Sequence, residues 1–263
     1  MSFDFIDTQG DDVAEIEGPA DTLKRAFGSI INVGETKLFV DDERLRTQYV
    51  NSANVMMGVL NVPAEALETY NVEQESVVAT NIDRLNNSLR PARVTKTDEI
   101  RLSIKQRQMD TYVDRQYDDS VSSEFHNVWK LLDPDSVRQE PIIPDLEEHL
   151  EVIDVDLQQL HDAVSSVGNP YKHTEFKSTD DGLRLRGNDS THGTEVTIHG
   201  EVPDGIHALY SNDYLTDIAD AVKSLQADDV TLKIGEEFPI KVKWARDDGV
   251  NGEYMLAPRI LSE

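Results

Sequence analysis

The stretch GEYMLAPRIL, Gly252 to Leu261, decides how this chain is read. It reads as a terminal strand running directly into Leu256-Ala257-Pro258-Arg259-Ile260. Proline has no N–H to give to a β-ladder, so Pro258 just beyond the strand leaves the pairing intact. Pro239 plays the same part before the preceding strand-like run, PIKVKW, Pro239 to Trp244. The carboxyl end is therefore expected to hold two strands, one after Pro239 and one ending before Pro258.

Working outward, the chain repeats itself. TDEIRLSI (Thr97 to Ile104) and ADDVTLKI (Ala227 to Ile234) share one character, with alternating residues facing one side as in strands. Each follows an amphipathic helix, NIDRLNNSL (Asn81 to Leu89) and DYLTDIADAV (Asp213 to Val222). Earlier in each half stands another helix, DTLKRAFGSII (Asp21 to Ile31) and VDLQQLHDAVSSV (Val155 to Val167). After a gap each is followed by an acidic turn and strand, DDERLR (Asp41 to Arg46) and DDGLRLR (Asp180 to Arg186). Four matches in the same order point to a duplicated domain of mixed helix and strand; two units are too few for a solenoid. Between the halves lies DPDSVRQEPIIPDLEEH, Asp133 to His149. Its three prolines and its charges argue against a regular element and for a surface linker. Ile142, Ile143 and Leu146 would be exposed in it and would need a partner surface.

The composition narrows the class. Asp and Glu number 51 against 25 Lys and Arg, a formal net charge of −26. The acids are scattered along the chain, which suits an acidic surface in a salt-rich cytoplasm, where exposed charges are screened within about 3 Å at 1 M. An acidic DNA mimic or a binder of basic partners would carry a similar charge. Charge speaks to solubility and association rather than to fold. There are no cysteines, which excludes disulfides, zinc–thiolate sites and thiol nucleophiles. MSFDFIDTQGDDV, the amino-terminal stretch, lacks a basic region followed by an apolar run, so no signal peptide is expected. No apolar run approaches the ~20 residues of a membrane span. A cytoplasmic protein with no membrane association is expected.

Candidate catalytic groups do not assemble. In a strand, His192 and His199 would face opposite sides, and with His207 they make a poor metal site. DPD at Asp133 and DVD at Asp154 suggest a two-carboxylate metal site only superficially, since each lies in or beside a loop of an acid-rich chain. There is no P-loop, no dinucleotide fingerprint and no G-x-S-x-G elbow. The sequence favours a non-enzyme with no cofactor and no metal.

The carboxyl motif GEYMLAPRIL resembles the end of a PCNA-type sliding clamp. DTLKRAF (Asp21 to Phe27), LLDPDSVRQEPIIPDL (Leu131 to Leu146), and LYSNDYLTDIADAV followed by VTLKIGEEFPIKVKW (Leu209 to Trp244) agree with it in order. The resemblance spans nearly the whole chain and is strongest to archaeal clamps. It implies an α+β fold of duplicated clamp domains, with helices lining a channel and antiparallel sheets outside, assembled as a homotrimeric ring around duplex DNA. The implied parts are an amino-terminal domain over 1–132, an interdomain connecting loop over 133–149 and a carboxyl-terminal domain over 150–263. Subunits would join by edge pairing of strands near Ser123 to Leu131 and Thr194 to His199. The ring would tether polymerase, ligase and nuclease through short peptides, be placed by a clamp loader, and catalyse nothing. The acidic composition then implies a haloarchaeal cell or its virus.

The helices suggest which residues would serve DNA. Leu23, Phe27, Ile30 and Ile31 share one face of the first helix, leaving Lys24 and Arg25 elsewhere. The resemblance places paired basic residues there, facing DNA. Ile82, Leu85 and Leu89 form the stripe of the second helix and leave Arg84, Arg90 and Arg93 outside; Arg90 stands at a channel-facing family position, whereas Asn87 departs from one. In the second half Leu157, Leu160, Val164 and Val167 form one stripe and Leu215, Ile218, Val222 and Leu225 the other. Gln158, Gln159, Asp162 and Ser165 are left exposed where clamps usually carry arginines. Thr216, Asp217 and Asp220 are exposed beside Lys223, the only cation of the last helix. Lys172, His173 and Lys177 are expected in the loop after the third helix. The resemblance also implies a peptide-binding groove at Val50, Ile143, Pro239, Met255, Ala257 and Pro258, with Ile142 and Leu146 as neighbours. Its occupant would bring a glutamine, an aliphatic side chain and paired aromatics. The alternative is a clamp-fold regulatory protein that does not encircle DNA, an inhibitor or a subunit of a heteromeric ring; weak basic character in the second half favours it, and the docking residues and carboxyl motif favour the clamp. A metal-dependent nucleic-acid enzyme would rest on the acidic clusters alone.

Overall fold

The computed structural model describes residues 11–260, apart from Asp119, Asp145, Glu147, Glu148, Asn169 and Pro170. The segment read for a signal peptide up to Gly10, Leu261 of the carboxyl motif, and three acids of the connecting loop lie outside the described residues. The chain divides into two compact units. The first comprises Met1–Tyr49, Val59–Pro141 and Asp248–Val250; the second comprises Val50–Gly58, Ile142–Asp247 and Asn251–Glu263.

The first unit begins with β1 (Asp12–Pro19) and α1 (Ala20–Gly28). Strands β2 (Glu35–Val40), β3 (Arg44–Val50), β4 (Met56–Pro63), β5 (Thr69–Val72) and β6 (Ser76–Asn81) follow, the last residue of β3 and the first three of β4 falling in the Val50–Gly58 segment of the second unit. Helix α2 (Ile82–Ser88) then leads to β7 (Glu99–Lys105), β8 (Gln108–Asp118) and β9 (Val121–Lys130). One sheet runs β5-β1-β7-β8-β9, and a second run is β4-β3-β2-β6. β1 pairs antiparallel with β5 and β7, β2 with β3 and β6, and β8 with β7 and β9; Ile16 pairs with Leu102, and both are fully buried. Period-two alternation sends these side chains inward, where Leu23 and Phe27 of α1, Leu85 of α2 and Leu89 just after it join them. Trp129 of β9 donates its indole N–H to Thr80 Oγ1 of β6 at 3.2 Å, satisfying a buried polar group. Asn81 caps α2 by accepting the Arg84 amide at 2.9 Å. Helix α1 has no side-chain cap; its first amide, that of Ala20, donates to the Asp98 carbonyl at 2.8 Å instead. Because α1 ends at Gly28, Ile31 falls beyond it and is only half-buried, unlike the stripe expected of it.

The second unit has β10 (Glu151–Asp154), α3 (Leu157–Gly168), β11 (His173–Thr179), β12 (Gly182–Asn188), β13 (Gly193–His199) and β14 (His207–Ser211). Then come α4 (Asn212–Leu225), β15 (Asp229–Ile234), β16 (Ile240–Ala245) and β17 (Asn251–Leu256). One sheet runs β13-β12-β11-β14, and a further run of strands is β10-β15-β16-β17. Helices α3 and α4 pack together. Leu160, Val164 and Val167 of α3 and Leu215, Ile218, Val222 and Leu225 of α4 are buried; Leu157, the first residue of α3, is half-buried. Asn212 ties the helices to the sheet: its amide donates to the carbonyls of Val167, Gly168 and Tyr171, and its oxygen accepts from Thr174 at 2.6 Å. Gly182 stands at φ +137°, and a Cβ there would lie 2.2 Å from the Ile198 carbonyl oxygen. Only glycine fits the turn between β11 and β12.

Among the described residues, both units thus combine two α-helices with antiparallel sheets, the expected α+β architecture. Strands β9 and β13 each end a sheet. Among the described residues, no helix is long and apolar enough to cross a membrane.

Candidate nucleic-acid and peptide interfaces

In the first unit the expected DNA-facing cations fall into two groups. Arg84 and Arg90 are exposed on and just after α2. The other three have their donors on protein acceptors. Lys24 Nζ donates to the carbonyls of Ala92 and Arg90, the latter at 3.4 Å. Burial holds its pKa below the usual lysine value; the Asp98 carboxylate opposes that, while Arg115 and Arg90 add to it. Arg25 Nε donates to Asp21 Oδ1 at 2.8 Å, one helical turn away. Arg93 forks onto Asp98: Nη2 reaches Oδ1 at 2.7 Å, Nε reaches Oδ2 at 3.2 Å, and Nη2 also meets the Gln116 carbonyl. Asp98 is fully buried. Burial pushes its carboxyl up, but hydrogen bonds from the Arg93 side chain and the amides of Arg93 and Gln116 outweigh this and hold it below the usual carboxylate range.

The second unit corrects one placement. Lys177 and His173 do not lie in a loop: HTEFKST is β11, with Thr174 and Phe176 buried in alternation. Lys172 precedes the strand and is exposed, as is Lys177. On α4, Lys223 Nζ donates to His161 Nδ1 at 3.1 Å, and the opposite edge of that ring, Nε2–H, donates to Asp220 Oδ1 at 3.0 Å. Asp162 Oδ1 also lies 3.3 Å from His161 Nδ1. Sequence reasoning missed His161, although it neighbours the α3 stripe; its partners are about a quarter of the chain away. The helix surface that carries Lys223 is therefore an internally bonded set of one cation, one imidazole and two carboxylates.

The histidines and acid pairs rejected as metal sites have other partners. His192 lies in the turn before β13, His199 Nδ1 is 3.1 Å from the Asp181 carbonyl, and His207 Nε2 is 2.9 Å from Glu175. Asp133 accepts the Asp135 amide at 3.0 Å, and Asp156 accepts the Gln159 amide at 2.9 Å at the start of α3. These are turn and cap roles. No group of three metal-ligating side chains occurs among the described residues.

The expected peptide-docking residues all fall in the second unit. Val50 and Met255 are buried, so they can support such a surface but present little area. Ile142 is 90% exposed, and so is Ile260 of the carboxyl tail. Ile143, Leu146, Pro239, Ala257 and Pro258 are half-buried. Strand register brings several together: Ile240 pairs with Leu256, so Pro239 and Ala257 share one end of β16 and β17. The tail is pinned by its backbone, the Ala257 amide donating to Val55 at 2.8 Å and that of Arg259 to Leu209 at 2.6 Å. His149, at the end of the connecting loop, stacks on Phe238 beside Pro239. Linker end, β16 entry and carboxyl tail therefore meet, leaving apolar side chains partly open.

Comparison with known proteins follows the same lines. Over 256 residues the chain is 31% identical to the DNA polymerase sliding clamp of Natronomonas pharaonis, covering 93% of this chain and 97% of the relative. It is 30% identical over 255 residues to the DNA polymerase sliding clamp of Halobacterium salinarum, covering 92% and 97%. No family model matches. Among solved structures, A. fulgidus PCNA with the C-terminal region of FEN-1 bound aligns at a TM-score of 0.80 and 23% identity, over 95% of this chain and all of that one. PCNA from Thermococcus kodakaraensis aligns at 0.78 and 20% identity, over 94% of this chain.

Proposed function

This chain belongs to the DNA polymerase sliding clamps, and from that premise we propose that it works as a homotrimeric ring around duplex DNA. Its family makes it a processivity factor. The observation that carries the ring is the position of β9 and β13: each ends a sheet, one in each unit. Open edges are pairing templates and aggregation hazards. Pairing β9 of one copy with β13 of the next is a heterologous contact, which closes into a ring when the rotation allows. The parts are an amino-terminal domain over 1–132, a connecting loop over 133–149 and a carboxyl-terminal domain over 150–263.

DNA contact is sequence-independent and lopsided. Arg84 and Arg90 supply it in the first unit, with Lys24, Arg25 and Arg93 contributing field rather than free donors. Lys172 and Lys177 are exposed cations in the second, and Lys223 is held by His161. A closed ring retains DNA by topology, so weak phosphate contacts suffice. Polymerase, clamp loader, ligase and nuclease dock by short peptides at Ile142, Ile143, Leu146, Pro239, Ala257 and Pro258, over Val50 and Met255. The ring raises their effective concentration on DNA and itself catalyses nothing. Haloarchaeal relatives and the acidic composition support a molar-salt cytoplasm.

Particle mass in molar salt tests this reading. A trimer is expected; a monomer stable at all concentrations and salts would favour a clamp-fold regulator instead.

A further inference from the structure

The connecting loop is fastened just before its docking side chains. Lys37 of β2 donates from Nζ to Gln139 Oε1 at 3.4 Å. Arg46 of β3 donates from Nη1 to Glu140 Oε1, and Gln48 donates from Nε2 to the Pro141 carbonyl. Arg46 and Gln48 are two apart on one strand, so they share a face, and they meet consecutive loop residues. The Arg46 guanidinium is also seated 4.4 Å over the Phe39 ring. Ile142, the first candidate docking residue, follows Pro141 directly.

The trailing end is fastened as well. The His149 and Phe238 rings stack with centroids 4.7 Å apart and planes within 9°. A Cβ on Gly235 would lie 2.1 Å from the His149 carbonyl oxygen, so the backbones approach as closely as glycine permits. The Phe238 carbonyl in turn accepts the Tyr210 hydroxyl at 2.8 Å. The His149 amide donates to the Leu146 carbonyl at 3.0 Å.

We propose that these two fastenings are positioning devices for peptide docking: Arg46 and Gln48 at one end, and His149 at the other, set the affinity of the docking side chains Ile142, Ile143 and Leu146 without touching the peptide. This rests on the reading of those side chains as the docking strip. Ordering backbone and side chains opposes binding, and a surface already held in its bound form avoids that cost. The Arg46–Glu140 pair suits such a role because both side chains are about 30% exposed. Exposed pairs add little to fold stability, so its loss should loosen the loop without unfolding the unit.

The experiment is calorimetric titration of a synthetic peptide carrying a glutamine, an aliphatic residue and paired aromatics into the full chain in molar salt. Arg46→Glu, Glu140→Arg and Gln48→Ala should each weaken binding about two- to tenfold, the range of one ordered side chain. The double variant Arg46→Glu/Glu140→Arg should recover most of the loss, and His149→Phe should bind like the parent where His149→Ala does not. Urea midpoints should stay close to the parent's throughout. Single variants that bind as tightly as the parent, or a charge swap as weak as its components, would overturn the proposal. Ile143→Asp separates the two readings. If it abolishes binding while the fastening variants bind normally, only the positioning role falls. If it too binds normally, the docking strip falls and the positioning role with it.

Discussion

Arg93 Nη2 donates to Asp98 Oδ1 at 2.7 Å, and Asp98 is completely buried. The same carboxylate takes the amides of Arg93 at 2.7 Å and Gln116 at 3.2 Å, and the Asp98 carbonyl takes the first amide of α1. One acid therefore joins the start of α1, the segment between α2 and β7, and β8.

Stability in acid should follow this group. Its folded pKa lies below the unfolded value of about 3.9. A depressed carboxyl contributes stability that is present above the unfolded pKa and lost as pH falls through the folded one. Asp98→Asn should cost about 1.5–3 kcal/mol near neutral pH, the range for hydrogen bonds to a charged group. It should also flatten the pH dependence of stability below about pH 4. Urea unfolding between pH 2.5 and 7 measures both; a variant with the parent's slope in acid would show that another carboxylate governs it.

Ring assembly should depend on salt. Three copies carry 3 × (−26) = −78 formal charges, which screening must offset. Dissociation to monomers is expected at about 0.05 M salt, where the repulsion is screened only beyond roughly 10 Å rather than within about 3 Å as at molar salt. Mass by light scattering across that range checks it, and a trimer unchanged at low salt contradicts it.

DNA contact should divide along the groups seen in the structure. Arg84→Ala with Arg90→Ala should lower retention on DNA and reduce the salt slope by up to about 2, at ~0.9 per phosphate contact. Lys24→Ala should act mainly on stability, because the carbonyls of Ala92 and Arg90 lose their donor. Asp220→Lys should improve retention by replacing the acceptor of His161 with a cation. Retention on nicked circular DNA, measured beside urea midpoints, distinguishes these outcomes; equal losses from Arg84/Arg90 and from Gln159/Asp162 variants would place the channel face elsewhere.

Peptide docking should fail when the strip is charged or filled. Burying one aromatic or aliphatic side chain contributes about 1.5–3 kcal/mol, roughly ten- to more than hundredfold in affinity. Ile143→Asp and Ala257→Arg should both abolish peptide binding while leaving the particle mass unchanged. Normal affinity in both variants would remove the docking assignment.

Much of the fold was legible because secondary structure has a period. Leu215, Ile218, Val222 and Leu225 recur at helical spacing, and α4 buries all four. The repeat of helix and strand in the two halves appears as two helices and antiparallel sheets in each unit. Where the pattern is short it misled: HTEFKST follows a helix and carries charge, so it read as loop, yet pairing with β12 and β14 makes it a central strand.

The sequence by itself determined the family, through motifs in order along nearly the whole chain, and the helix faces, which depend on residue order within a few turns. What the cations bind was decided only by tertiary structure. Lys24 meets a carbonyl 68 residues away, and His161 meets Asp220 across 59. Strand packing buries Val50 and Met255, so they can only support a docking surface from beneath. Local periodicity fixes the direction in which a side chain leaves its helix or strand. Register and packing, set by contacts remote in sequence, fix what waits there.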